Sequence, residues 1–272
     1  MPCGRSSLGA WSGANSDTHA ARSLNKSFFF FYHFALAQIC DPEITGKKKG
    51  GGVDDEAYKN YWSTQTIPDS KMATVDLKNF NADDIIYGAA KLNRRGGVSI
   101  PLNIKTNKGT EPILFQAPRM RAPFGVSCFE DTAGPRFTIS VSLDGEHEGG
   151  SVSDFARFLQ EFDAQNVSAA HRNSPAWFKG NHHSKQLLEE LYKPMYVPAP
   201  ASSQYAPTFR GKLRSFKNEI KSLCFNESRE PVDICEAVPM DSEVSLFVEV
   251  VSLWFMENNF GVTCIVHAFT YE

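Results

Sequence analysis

The stretch EPILFQAPRMRAPFGVSCFEDTAGPRFTISVSL, residues 111–143, decides the fold. It predicts three short strands. Residues 113–116 are a short apolar run. Further on, Phe137, Ile139, Val141 and Leu143 alternate with Thr138, Ser140 and Ser142, the period-two signature of a strand with one buried face. Between them, Pro118 and Pro123 frame Arg119 and Arg121. Proline fixes φ and removes a donor, so this piece predicts a stiff, extended connector rather than a helix. Side chains alternate along an extended chain, which points both guanidinium groups the same way. Two parallel Arg forks beside exposed aromatics can grip a phosphodiester backbone. An ordinary solvated edge segment is the competing reading.

Upstream of this stretch, residues 98–104 (VSIPLNI) read as a strand that Pro101 demotes to a sheet edge. Downstream, a Gly-bounded loop carrying Asp144, Glu146 and Glu148 leads into the strongest helical signal of the chain. Ser151 or Ser153 offers an N-cap, and Phe155, Phe158, Leu159 and Phe162 recur at helical spacing over residues 151–166. That stripe is a core face. A second helix is predicted over residues 184–192, followed by a proline-rich extended segment. Residues 208–213 then read as a strand, with Arg210, Lys212 and Arg214 on one face and Phe209, Gly211 and Leu213 on the other. Residues 223–225, 244–255 and 262–271 complete the strands; the last two pair as a hairpin across Asn258, Asn259 and Gly261. The order is strands, helix, strands, with no glycine-rich βα turn. This predicts an α+β, mostly β chain, a small β-barrel of mainly antiparallel strands with inserted helices.

Residues 1–71 have a different texture. They hold a Gly/Ser/Ala-rich segment, the run FFFFYHFALA at residues 28–37 and KKKGGG at residues 47–52. The Phe run imitates a secretory signal but is too short to span a bilayer as a helix. It also matches a translated pyrimidine tract at an intron boundary. The expectation is a disordered or mis-annotated extension over residues 1–71, and one domain over residues 72–272.

Composition narrows the function classes. Net charge is −3, so any polyanion binding must come from a local patch. Six cysteines, Cys3, Cys40, Cys128, Cys224, Cys235 and Cys264, show no CxxC spacing. They read as reduced thiols, which predicts the nucleus or cytoplasm rather than secretion. There is no P-loop, dinucleotide fingerprint, zincin motif or nucleophile elbow. His182 and His183 are adjacent and diverge, so they are poor chelators of one metal, and His171 is distant in sequence. The acids at 144, 146 and 148 read as a solvated turn before a cation loop. Asp163 and Glu161 form an acid pair with no nucleophile to serve. No cofactor and no catalysis are expected.

One distributed constellation survives these exclusions. Arg119, Arg121, Arg136, Arg210, Lys212, Arg214 and Lys217 interleave with Phe115, Phe124, Phe129, Phe137, Phe209 and Phe216. Single-strand binders combine a basic groove with aromatic platforms on which bases stack. The expected contacts are Arg119, Arg121, Arg136, Arg210, Lys212 and Arg214 on the backbone, with Phe124 and Phe209 under bases. A continuous positive groove should join Arg119 and Arg121 to Arg210 and Lys212.

Four segments, PILFQAPRMRAPFGVSCFED, FTISVSL, SVSDFARFLQEFDAQNV and LWFMENNFGVTCIVHAFTYE, also carry a resemblance. Together they resemble the single-stranded-DNA-binding proteins of nucleocytoplasmic large DNA viruses and their algal homologues, over residues 98–271. The resemblance implies an OB-fold-like barrel and a role in replication, recombination or repair. It implies single-stranded DNA as partner, with RNA as the alternative, and replication proteins and further copies of the chain as candidate partners. Phage members of this functional class end in an acidic tail, whereas this sequence ends Phe269-Thr270-Tyr271-Glu272. A viral structural or protein-interaction module is the alternative function.

Overall fold

A computed structural model describes residues 74–272, apart from residues 93–95, 131–133, 203, 217, 229–230, 235–237, 257–258 and 272. The extension over residues 1–71, Cys3, Cys40, Cys235, Lys217 and Asn258 therefore lie outside the described residues. Fifteen strands follow one another among them. β1 (Ile85–Tyr87), β2 (Lys91–Leu92), β3 (Val98–Thr106), β4 (Gly109–Gln116), β5 (Met120–Ala122), β6 (Val126–Phe129) and β7 (Arg136–Ser142) precede the helices. These are α1 (Ser151–Arg172), α2 (Ser174–Trp177) and α3 (Lys185–Leu191). The remainder are β8 (Tyr192–Lys193), β9 (Tyr196–Val197), β10 (Thr208–Leu213), β11 (Ser215–Phe216), β12 (Glu219–Ile220), β13 (Leu223–Phe225), β14 (Ser242–Met256) and β15 (Asn259–Tyr271).

The long hairpin β14–β15 is the axis of the sheet. Its strands alternate apolar and polar residues over most of their length, so one face is dry. From β14 the order runs outward through β4 and β3 to β1; from β15 it runs through β10 and β7 to β6. Most pairs are antiparallel, but β8, β10 and β13 lie parallel to β15, which makes the sheet mixed. Gly211 is required where β10 meets β15, because a Cβ there would collide with Val266 Cγ2.

Two expectations are corrected. First, the sheet does not close into a barrel. The segment from β5 to β6 reaches β14 at one end and β7 at the other, but the Pro123–Gly125 turn interrupts it. No ladder joins β5 to β7 among the described residues. Second, Pro101 is not at an edge. Its strand β3 has β14 on one side and β1 and β2 on the other. The Pro101 carbonyl accepts from Gly88 N–H, so its missing donor points to the same side, where the chain between β1 and β2 leaves the ladder. The interruption accommodates the proline.

Helix α1 crosses the dry face. Gly150, at φ 86, is its N-cap, and both Ser151 and Ser153 lie inside the helix, which extends to Arg172. Phe155, Phe158, Leu159 and Phe162 are all fully buried. The three phenylalanine rings meet Phe80, Phe115 and Phe209 in edge, tilted and stacked contacts. A second aromatic cluster, Trp177, Phe178, Tyr192, Phe255 and Phe260, joins α2 to the tip of the β14–β15 hairpin. These two clusters account for much of the unusual phenylalanine content.

Candidate nucleic-acid interface

Strands β6, β7 and β10 end one side of the sheet, and their register determines which side chains share the outer face. Residues directly opposite in an antiparallel pair point the same way. Arg210 lies opposite Ser140, and Lys212 lies opposite Thr138. Ser127 is also opposite Thr138, and Phe129 is opposite Arg136. The alternate residues Phe209, Gly211, Leu213, Ile139 and Val141 are buried on the α1 side. Arg136, Arg210 and Lys212 therefore share the outer face with Phe129, and successive cations along β10 stand about 7 Å apart. Arg210 Nε donates to Ser140 Oγ at 3.1 Å, which orients the guanidinium along the face. None of the three strands contains Asp or Glu.

Arg214 follows β10 directly. Its backbone N–H donates to Ser222 Oγ (2.8 Å), whose hydroxyl donates in turn to Val266 O. On the far side of β10, the same face continues into Ile265 of β15 and Glu249 of β14. His267 Nε2 lies 2.6 Å from Glu249 Oε2, so this carboxylate already has a partner.

Arg119 and Arg121 are on a different part of the sheet. Arg119, just before β5, and Arg121, within it, are both exposed, as the alternation required, with Met120 and Ala122 buried between and beside them. However, β5 is a paired strand on β14 rather than a bare connector. Arg119 Nε meets Glu243 Oε2 at 3.2 Å, and Arg121 Nη1 meets Asp241 Oδ1 at 3.1 Å. β14 and β15 separate this pair from β10 in the sheet order. Arg119 and Arg121 thus each face an acid at the start of β14, whereas Arg210 and Lys212 lie on a strand free of acids.

The aromatics also divide. Phe209 is 0% exposed, packed against Phe115 and Phe155, and offers no ring face to a base. Its position follows from the alternation that exposes Arg210, so Phe209 and Arg210 could never share one ligand. Phe124 is 58% exposed, in the turn before β6, while Phe129 (50%) and Phe216 (53%) are exposed beside Arg136 and just after Arg214. Phe216 stood in the sequence among the aromatics interleaved with the basic residues, and the structure places it on β11, outside the main sheet.

The remaining candidates have structural roles. Glu146 is buried and accepts from Tyr196 Oη, so the 144–148 loop is no open acidic cup. His183 stacks edge-on against Phe178. Asp163 is buried apart from the exposed Glu161 and accepts from Tyr192 Oη and from the backbone of Met195 and Tyr196. Tyr192 also accepts from Asn166, which accepts from Tyr87, so one hydrogen-bonded chain ties β1 and α1 to β8 and β9. Sequence reasoning had no signal for this network, because its members are far apart in the chain. Burial pushes the Cys224 thiol up to about 12 and raises that of Cys264 further, which keeps both protonated and unreactive. Among the described residues, no cluster of His, Cys, Asp and Glu could hold a metal, and no helix is long and apolar enough to cross a membrane.

Comparison with known proteins adds three findings. Residues 151–268 match the model of a family of unknown function, DUF5871. No curated protein matches the sequence. Among solved structures, the chain is similar to gp2.5, a single-stranded DNA binding protein encoded by bacteriophage T7, with a TM-score of 0.41 and 10% identity. That alignment covers 59% of this chain and 86% of the phage protein.

Proposed function

We propose that this chain binds single-stranded nucleic acid, DNA in the first place, on the outer face of β6, β7 and β10, and catalyses no reaction. Charge segregation carries the reading. In a chain of net charge −3, these three adjacent strands hold Arg136, Arg210 and Lys212 and no carboxylate. A local basic face with an aromatic beside it suits a flexible polyanion whose bases are unpaired. The sequence resemblance to the viral and algal single-strand-binding family points the same way, and with it a role in replication, recombination or repair in a reducing compartment. Arg119 and Arg121 are reassigned to structural ion pairs at the start of β14.

The experiment is a fluorescence anisotropy titration of labelled oligo-dT, with unlabelled duplex of equal length as competitor. The reading predicts that duplex competes poorly. Equal competition by duplex, or no binding to oligo-dT at low salt, would reject it. A protein-interaction module is the second reading, and one observation favours it. Phe124 and Met240 are both exposed on turns joined through Ala122, whose carbonyl accepts from Gly125 and Asp241 N–H. The same titration separates the two readings, because a protein-interaction module predicts no binding of oligo-dT at low salt.

A further inference from the structure

Strands β10 and β13 pair with the same strand in the same direction, almost end to end. Leu213 lies beside Val266 and Leu223 beside Ala268, so only one position of β15 separates them. The nine residues between, 214–222, leave the sheet and return. They are an insertion into what is otherwise one strand. The base of the insertion is pinched shut. Ser222 Oγ accepts from Arg214 N–H and donates to Val266 O, while Lys221 N–H donates to Arg214 O at 2.6 Å. Above that base, β11 and β12 form a hairpin, with Asn218 near its tip at φ 68.

The tip has a seat. A Cβ on Gly134 would lie 2.8 Å from Asn218 Oδ1, so the Asn218 side chain reaches the backbone two residues before Arg136. The hairpin therefore spans from the end of β10 to Gly134. It carries Phe216, half-exposed and in register with Glu219, between those two points.

We infer that the β11–β12 hairpin is the jaw that restricts this face to a single strand, with Phe216 as its base-stacking residue. The inference rests on the proposed nucleic-acid face and adds the element that selects an unpaired strand. Backbone phosphates lie on Arg136, Arg210 and Lys212, and a base turned toward the hairpin stacks on Phe216. A paired base has no free edge to turn, so duplex gains only the electrostatic part.

Two variants test this. Phe216→Trp places an indole at the jaw, and base stacking should quench its fluorescence when oligo-dT is added, beyond any change in wild type. Phe216→Ala should weaken oligo-dT binding by roughly 5- to 150-fold, the range that one base stack spans. It should leave duplex affinity and the salt slope unchanged. If oligo-dT binds but the fluorescence of the introduced indole does not move, or Phe216→Ala binds oligo-dT as wild type does, the jaw is refuted while the basic face stands. If oligo-dT does not bind wild type at all, the face is refuted and the jaw with it.

Discussion

Burial raises the carboxyl of Asp163 to about 6, because lost hydration outweighs the three donors that favour its anion. The native state thus holds this proton more tightly than the unfolded chain, whose carboxyl titrates near 3.8. Stability from this group is greatest when the pH lies below both values, and falls as pH rises from about 4 to about 6, by up to about 3 kcal/mol. In urea titrations across that window, wild type should lose ground relative to Asp163→Asn as pH rises. Parallel profiles would show that the carboxyl titrates normally. Phe158, fully buried between Phe80 and Phe115, belongs to the same scale. Its replacement by Ala should cost about 3–5 kcal/mol, measurable by chemical denaturation. Unchanged stability would mean that the α1 stripe does not carry the core. The stripe was legible because helical periodicity is local, whereas the partners of Asp163 come from residues about thirty positions downstream.

At the scale of elements, alternation specified which side of β10 faces water, and the structure agrees residue by residue. What alternation could not supply was the neighbour. Arg119 and Arg121 project together as their spacing required, but their meeting with Glu243 and Asp241 depends on β5 pairing with β14, about 120 residues away. The pairing predicts a small effect. Arg119→Ala with Arg121→Ala should change oligo-dT affinity little, and exposed ion pairs of this kind contribute only about 0–1 kcal/mol each to stability. A large loss of binding in that double variant would return Arg119 and Arg121 to the binding face. The Pro101 case has the same cause. Proline excludes a ladder bond locally, but only the gap between β1 and β2 shows that a strand with neighbours on both sides can tolerate it.

For the whole molecule, the two aromatic clusters and the β14–β15 axis form, among the described residues, a core of its own. We propose that residues 1–71 are dispensable for it. A chain begun at Met72 should unfold at the same temperature as the full chain, and a drop of several degrees would show that the extension packs on the core. The open, mixed sheet leaves β6 at its end, and with it a basic face not enclosed by a barrel wall. The direct test is the salt dependence of oligo-dT affinity for wild type and for Arg210→Ala with Lys212→Ala. Each lost phosphate contact removes about 0.7 from the slope of log K against log salt, so the double variant should bind more weakly with a slope flatter by about 1.4. An unchanged slope and affinity would contradict the assignment of nucleic acid to this face.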